Sequence, residues 1–201
     1  MKVSMLTMTS GVFITLTVGL ATFAAAGSFG ADAISADWQT YRDSKLGFSI
    51  SHPADYTVNE AYAYQALGPG NDIRGVSFTI PEHMAKGTNL SSDTRISVEV
   101  LRSDTSCAPD QFLSNVQERH SESIGPLRFA VATSNEGAMG NRYEEAVYAI
   151  SSSSPCLAVG YFIHSTNVGA YDPGTIAPFD RTALGRQFDE IRRTLVIFGL
   201  R

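Results

Sequence analysis

The chain contains few of the residues on which common metal and redox sites depend. It has two cysteines, one tryptophan and four histidines in 201 residues. The histidines are His52, His83, His120 and His164, and no two of them have the spacing of paired metal ligands. We therefore expect no metal site and no cofactor.

Short motifs for phosphate, dinucleotide and serine-hydrolase chemistry are also missing. The sequence contains no G-x-x-x-x-G-K-[ST], no G-x-G-x-x-G and no G-x-S-x-G. Basic residues are outnumbered, 15 against 20 acidic ones, for a net charge of −5. Such a surface repels phosphate backbones and anionic lipid, which argues against roles in nucleic-acid or membrane-surface binding.

The first 33 residues have the pattern of a secretory signal peptide. Lys2 supplies a positive charge, residues 12–26 form an apolar run, and Ala31-Asp32-Ala33 fits the small-x-small cleavage pattern. We expect cleavage after Ala33, with cleavage after Ala26 as the alternative. An uncleaved anchor is disfavoured, because threonines and serines interrupt a run that would need about 20 apolar residues.

The mature chain, residues 34–201, has the length of a single domain that can bury its own core. No cysteine precedes Cys107, which excludes a lipid on a cleavage-site cysteine. We therefore expect a soluble periplasmic or secreted protein with no membrane span after cleavage.

Cys107 and Cys156 are the only cysteines. In an oxidising compartment an isolated pair is most simply a disulfide. The alternative is a catalytic or metal-binding thiol pair, which the long spacing disfavours because redox and zinc sites use closely spaced cysteines.

Alternation of apolar and polar residues predicts strands with one buried face over residues 46–51, 76–81, 95–101 and 141–151. Residues 156–166 are apolar on both sides, which predicts a strand in the middle of the sheet. A short strand over 194–198 is predicted near the end of the chain.

Two helices are predicted. The first begins at Pro109 and carries an apolar stripe of Phe112, Leu113 and Val116. The second runs from the N-cap Asp180 to Arg193, with Leu184, Phe188 and Ile191 on one stripe. The order of elements predicts an α+β protein in which helices flank an antiparallel sheet, forming an α/β/α sandwich.

The stretch YRDSKLGFSISHP, from Tyr41 to Pro53, and the Tyr56 that follows it resemble the opening of the PsbP/Mog1-like family. In that family an aromatic residue and a polar turn precede a Gly-Phe-Ser-Ile-like strand ending at Tyr-Pro, and His52 stands here where the tyrosine is common. The end of the chain, residues 188–198, resembles the family's last helix and strand. The resemblance implies an antiparallel sheet flanked by helices and a non-catalytic binding or assembly role, with no functional residue carried over.

The connection after the predicted central strand is a candidate site. His164 and the carboxylates Asp172 and Asp180 would perform acid–base chemistry if they converged, and Asn167 and Tyr171 in the same loop would contact a ligand. The structural alternative is that residues 172–174 form a turn, Asp180 caps a helix and His164 satisfies backbone groups at the strand end. We favour the structural alternative and expect a buried His164 ring bonded to backbone.

Tyr62, Tyr64 and Tyr161 are candidates for a recognition surface, although tyrosines on strands also serve as half-buried packing. The sequence thus favours an exported, non-catalytic binding or accessory protein whose partner is another envelope or secreted protein. The alternatives are a small secreted hydrolase using the loop from His164 to Asp180, and a protein inhibitor of an extracellular enzyme. A polar pocket would favour the hydrolase, a protruding loop the inhibitor, and a flat tyrosine-rich face the binding protein.

Overall fold

The computed structural model describes residues 37–102 and 106–198. The predicted signal peptide lies outside the described residues. By its internal contacts the chain divides into Met1–Ser35 and Ala36–Arg201, and the account below concerns the second unit. No helix among the residues that the structure describes is long and apolar enough to cross a membrane.

The described residues form mainly antiparallel β structure. The strands are β1 (Trp38–Asp43), β2 (Phe48–Pro53), β3 (Thr57–Asn59), β4 (Ala63–Tyr64), β5 (Ile73–Thr79), β6 (Arg95–Leu101), β7 (Glu118–Ile124), β8 (Leu127–Ala138), β9 (Asn141–Ile150), β10 (Cys156–Thr166) and β11 (Val196–Ile197). The α-helices are α1 (Glu82–Ala85) and α2 (Arg181–Arg193), and single 3₁₀ turns span Pro109–Gln111 and Val168–Ala170.

The strands pair into two sheets. The large sheet has the order β3-β5-β6-β10-β9-β8-β7, with β4 also paired to β5, and the small sheet has the order β1-β2-β11. Strand β10 lies between β6 and β9, so the prediction of a central strand is confirmed. Its position explains why residues on both of its sides are apolar, since each face of the sheet is covered there.

The main core lies between one face of the large sheet, here called the inner face, and a layer made of α2 and the small sheet. Leu184, Phe188 and Ile191 project from α2 at intervals of four and three residues and are buried. Phe48 and Ile50 of β2 are fully buried in the same cluster. The predicted α2 stripe is confirmed, and Asp180 accepts a hydrogen bond from Ala183 N at 2.9 Å as the N-cap.

The predicted helix starting at Pro109 is wrong. One 3₁₀ turn forms there, and the chain then continues without regular structure to β7. Phe112 and Leu113 are both buried in a second cluster on the opposite, outer face of the large sheet. Because this short segment is anchored by the disulfide at Cys107, consecutive apolar side chains reach the sheet without a helical repeat. Of the two predicted helices, α2 alone forms among the described residues.

The outer face is covered at two places. Residues 60–72 bring Tyr64 over β6 and β10, and residues 106–117 cover the sheet near β8 and β9. The structure joins Cys107 to Cys156, as predicted, with their Cα atoms 5.0 Å apart. This bond fixes the second covering segment to the start of the central strand.

Candidate functional site

His164 does not meet the carboxylates of the loop that follows it. Its Nδ1 lies 2.8 Å from Asp93 Oδ1 and its Nε2 lies 3.0 Å from Asn141 Oδ1. The ring is half-buried and stacks on Tyr143 with a centroid separation of 4.6 Å. The ring is therefore held by side chains from β9 and the turn before β6, whereas the sequence predicted bonding to backbone.

The other loop candidates have local partners. Asp180 caps α2, and the backbone oxygen of Asp172 accepts from Thr175 N at 3.1 Å in a turn. Asn167 Oδ1 accepts from Gly169 N at 3.0 Å and starts the 3₁₀ turn. The structure does not bring these three residues together with His164.

Tyr171 is exposed, and its hydroxyl lies 3.1 Å from Thr166 Oγ1. Its ring is one of the exposed large apolar groups of the described residues, but nothing else in the predicted site approaches it. It remains a surface residue of the loop.

A row of half-buried side chains crosses the outer face, and we call it the aromatic strip: Tyr62, Arg95, Phe162, Tyr143 and His164. The guanidinium carbon of Arg95 lies 4.0 Å from the ring centroid of Phe162 and 5.4 Å from that of Tyr62. Phe162 and Tyr143 follow at 6.1 Å, and the Tyr143–His164 stack completes the row. The strip joins predicted residues, Tyr62 and His164, through three that sequence reasoning missed.

Strand register explains why these residues share a face. Phe162 is paired with Arg95 of β6 on one side and with Glu145 of β9 on the other, and His164 is paired with Tyr143. Directly paired residues of antiparallel strands project to the same side, with Cβ atoms about 5 Å apart. The alternation of β10 alone places Phe162 and His164 together, but their neighbours depend on pairing that the sequence does not reveal.

Beneath the strip lies a buried carboxyl group. Glu99 of β6 is 3 % exposed, and its Oε1 accepts hydrogen bonds from Ser97 Oγ at 2.8 Å and from Tyr62 Oη at 3.1 Å. Burial raises the pKa of Glu99 from its ordinary 4.5 to about 7, although the two hydrogen bonds oppose that rise. Burial likewise raises the pKa of Tyr62.

Gly160 of β10 makes room for this carboxyl. A Cβ at position 160 would lie 2.7 Å from Ser97 Oγ and 3.2 Å from Glu99 Oε1. The first distance is too short for any side chain, so a residue larger than glycine would displace the serine and the carboxyl that it holds. Glycine at position 160 therefore leaves the space that Ser97 and Glu99 occupy on the outer face.

A second carboxyl group, Glu145 of β9, lines the same small cavity as Glu99, together with Tyr64. Burial raises the pKa of Glu145, and a hydrogen bond from Tyr64 and the nearby Arg95 oppose the rise. Tyr64 is 6 % exposed, and burial, with its charge and hydrogen-bond interactions with Glu145, raises the pKa of its hydroxyl. The cavity measures about 10 Å³.

Two larger grooves adjoin each other on the inner face beside the start of α2, with volumes of about 580 and 670 Å³. Both are lined by Arg142, Glu144 and Arg181. The buried Glu144 pairs with Arg142 Nε at 3.2 Å and also with Arg181. This cluster pairs its charged groups with one another, so we give more weight to the aromatic strip.

Among the described residues no group of three or more histidine, cysteine, aspartate or glutamate side chains is arranged to hold a metal ion. What the outer face provides is a set of rings and one guanidinium held at fixed spacing by three strands. Such a surface is suited to contact another molecule.

The sequence matches no protein-family model and none of the curated proteins. Three solved structures are similar in fold to this chain. Cyanobacterial PsbP (CyanoP) from Synechocystis sp. PCC 6803 is 15% identical over 86% of this chain and 99% of its own, with a TM-score of 0.46. A protein from Bacteroides thetaiotaomicron is 14% identical over 79% of this chain and 48% of its own, also with a TM-score of 0.46.

The Saccharomyces cerevisiae Ran-binding protein Mog1p is 10% identical over 81% of this chain and 96% of its own, with a TM-score of 0.44. PsbP and Mog1p, after which the family that the sequence resembles is named, are thus both among the similar structures. We take neither a partner nor an activity from these proteins.

Proposed function

We propose that this protein is an exported, non-catalytic binding or accessory protein, and that a partner protein docks on the aromatic strip. The observation that carries the proposal is the strip itself. Tyrosine, arginine and phenylalanine are enriched at protein interfaces, and tyrosine and arginine among the residues that dominate their binding energy. Here they lie side by side, half-buried on the sheet and the segment that covers it, so little conformational entropy is lost when they are covered.

The surroundings of His164 favour binding over catalysis. Both of its ring nitrogens lie within hydrogen-bonding distance of Asp93 and Asn141. A general base needs a ring nitrogen that is free to reach the proton of a substrate. The predicted hydrolase also needed Asp172 or Asp180 beside His164, and those residues are used in a turn and a helix cap.

Export is part of the proposal. The Cys107–Cys156 disulfide supports it, because such bonds persist in oxidising compartments. The partner would then be another envelope or secreted protein. Protein recovered from the cells that produce it should begin at Ile34, as read by N-terminal sequencing and intact mass. A mature product that retains Met1 would contradict export by cleavage.

Site-specific photocrosslinking in the producing cells tests the docking surface. A benzoylphenylalanine placed at Tyr143 should crosslink a discrete protein, and the same probe at Val196, which is 52 % exposed on β11, should not. Adding Phe162→Ser to the Tyr143 probe should reduce the crosslink at least about tenfold, since a central aromatic contact contributes more than 1.4 kcal/mol. Equal crosslinks from both probe positions, or none from Tyr143, would refute docking on the strip.

A second function, inhibition of an extracellular enzyme, is favoured by one feature. Met139, in the turn between β8 and β9, is fully exposed, more than any other large apolar side chain of the described residues. Its φ of 52° places it in the left-handed region. A third photocrosslinking probe at Met139 separates the two functions, because an inhibitor would crosslink its enzyme from this turn and remain insensitive to Phe162→Ser.

A further inference from the structure

A groove of about 580 Å³ lies where the turn between β7 and β8 meets the segment that leads from α2 to β11. Its lining comes from residues within 124–129, from residues within 192–197 and from Ser152. We call this site the apolar groove. It lies at the rim of the main core on the inner face, because Leu127 and Phe129 belong to that core.

Two edge strands bound this groove, which is why its apolar side chains stay accessible. β7 is the last strand of the large sheet and β11 the last strand of the small sheet. Gly125 and Pro126 form the turn after β7, and the φ of 55° at Gly125 lies in the left-handed region that glycine adopts readily. No other described strand continues either sheet beyond this point, so the side chains between the two edges are not covered.

The lining combines a buried floor with accessible apolar walls. Leu127 and Phe129 are almost fully buried, Ile124 and Ile197 are half-buried, and Val196 is 52 % exposed. Accessible apolar side chains grouped in this way often mark a binding site. The volume also falls within the range of about 300–1,000 Å³ that is typical of sites for small molecules.

The charge of the lining is positive. It contains Arg192 and Arg193 and no acidic residue. Arg192 is committed, because its guanidinium pairs with Glu122 and Asp189. Arg193 is exposed and has no ion pair within the part of the chain that the structure describes. The carbonyl oxygens of Ile191 and Arg192 accept hydrogen bonds from the backbone N–H groups of the two residues after the helix, so they do not occupy the Arg193 guanidinium.

We propose that the apolar groove binds a small amphipathic carboxylate of the fatty-acid class. Its alkyl chain lies between the two edge strands, and its carboxylate pairs with the guanidinium of Arg193. Arginine matches a carboxylate through two parallel N–H···O bonds, and one unpaired guanidinium balances one carboxylate charge. The groove opens on the inner face, opposite the aromatic strip, so this site goes beyond the proposed function and does not depend on docking at the strip.

NMR of the methyl groups in the whole exported protein tests the inference, with hexanoate, octanoate and decanoate as probes. The signals of Ile124, Val196 and Ile197 should shift, and those of Val58 should not. Val58 is the matched control because it is 37 % exposed on β3, at the opposite edge of the large sheet. Affinity should rise about tenfold from hexanoate to octanoate and again from octanoate to decanoate, because each step buries two more methylene groups.

Two further probes with the same chain length separate the contribution of the carboxylate from that of the chain. 1-Octanol should bind about two- to fivefold more weakly than octanoate, the range expected for one exposed ion pair. Octylammonium should bind more weakly than octanol, because its charge has the same sign as that of Arg193.

Variants assign the charge to one residue. Arg193→Gln should weaken octanoate binding about two- to fivefold and leave octanol binding unchanged, and Arg193→Lys should recover most of the loss because it keeps the charge. Val196→Glu should weaken octanoate binding more than octanol binding, because it places a like charge beside the carboxylate. Arg186→Gln, at another exposed arginine of α2 that does not line the groove, should bind both probes as wild type does.

Several results would overturn the inference. They are equal affinities for octanoate and octanol, an Arg193→Gln protein that binds octanoate as tightly as wild type, shifts that extend to Val58, or no shifts at all. Shifts of the groove signals that depend on protein concentration without any probe would also overturn it, because a second copy of the chain would then occupy the groove. A small molecule adds no protein contact at Val196, so these results are independent of crosslinking from Tyr143.

Discussion

Replacing Glu99 by glutamine should change how stability depends on pH. In the folded protein burial raises the pKa of Glu99 from its ordinary 4.5 to about 7, so the folded state holds this proton more tightly than the unfolded state. Stability due to this proton is fully present below about pH 4.5 and is lost as the pH rises through 7. The difference between the two pKa values corresponds to about 3 kcal/mol.

Wild-type protein should therefore lose about 3 kcal/mol of unfolding free energy between pH 4.5 and pH 8 that Glu99→Gln does not lose. Glu145 also has a raised pKa and contributes a loss of the same sign, but it is present in both proteins and largely cancels in the difference. Urea unfolding at half-unit pH intervals, with the disulfide intact, gives the two profiles.

Glu190→Gln serves as the control because that exposed carboxyl should leave the wild-type profile unchanged. Parallel profiles for wild type and Glu99→Gln would refute the reasoning, since they would mean that Glu99 titrates alike in the folded and unfolded states. A profile for Glu99→Gln that falls more steeply than wild type would contradict the sign.

Two further predictions concern the covalent and steric framework. Replacing Cys107 and Cys156 by serine should lower the unfolding free energy by about 4 kcal/mol, because the bond closes a loop of 49 residues, and urea unfolding under non-reducing conditions measures the loss. Gly160→Ala should destabilise the fold, because its Cβ would lie 2.7 Å from Ser97 Oγ. Gly185→Ala should stabilise the fold by up to about 1 kcal/mol, because nothing lies within 4 Å of that site on α2. The thermal unfolding midpoint should fall in Gly160→Ala and rise in Gly185→Ala, and shifts of the same sign in both variants would contradict the prediction.

The parts of the fold that could be predicted from the sequence are those whose pattern is long and regular. Strand β10 is apolar on both sides over its first eight positions, and α2 combines a capping aspartate with buried residues at helical intervals. Both patterns follow from burial against the main core, so local sequence and tertiary environment agree.

Elements without such a pattern were missed or misassigned. Strand β7 reads ERHSESI and lies at the edge of the large sheet with most of its residues exposed, so no alternation marks it. The segment after Cys107 has apolar residues that resemble a short helical stripe, but the disulfide and the outer face bury them directly. In both places long-range contacts decide the structure.

The aromatic strip is assembled by strand pairing, so sequence reasoning predicted only the residues at its two ends. Tyr62 and His164 were candidates on residue type, and they lie 102 positions apart in the chain. Arg95, Phe162 and Tyr143 connect them only because β10 pairs with β6 and β9 in one particular register. A shift by one residue would send these side chains to the inner face.

An arginine packs against each face of the large sheet: Arg192 of α2 on the inner face is buried, whereas Arg95 of β6 on the outer face is half-buried. On the inner face Arg192 donates from Nε to Tyr161 Oη at 2.7 Å and from Nη2 to Asp189 at 2.9 Å, pairs with Glu122, and lies 3.8 Å from the ring centroid of Tyr148. Two carboxylates and a phenolic oxygen take up its charge and most of its hydrogen bonds, so this cluster stabilises the packing of α2 on the sheet without needing a ligand.

On the outer face Arg95 donates from Nη1 to the backbone oxygen of Asp93 at 3.2 Å and lies over the ring of Phe162. Burial raises the pKa values of the nearby Glu99 and Glu145. The inner arginine is covered by its own helix, whereas the side chains of the aromatic strip are half-buried on the outer face, and a docked partner would bury them further.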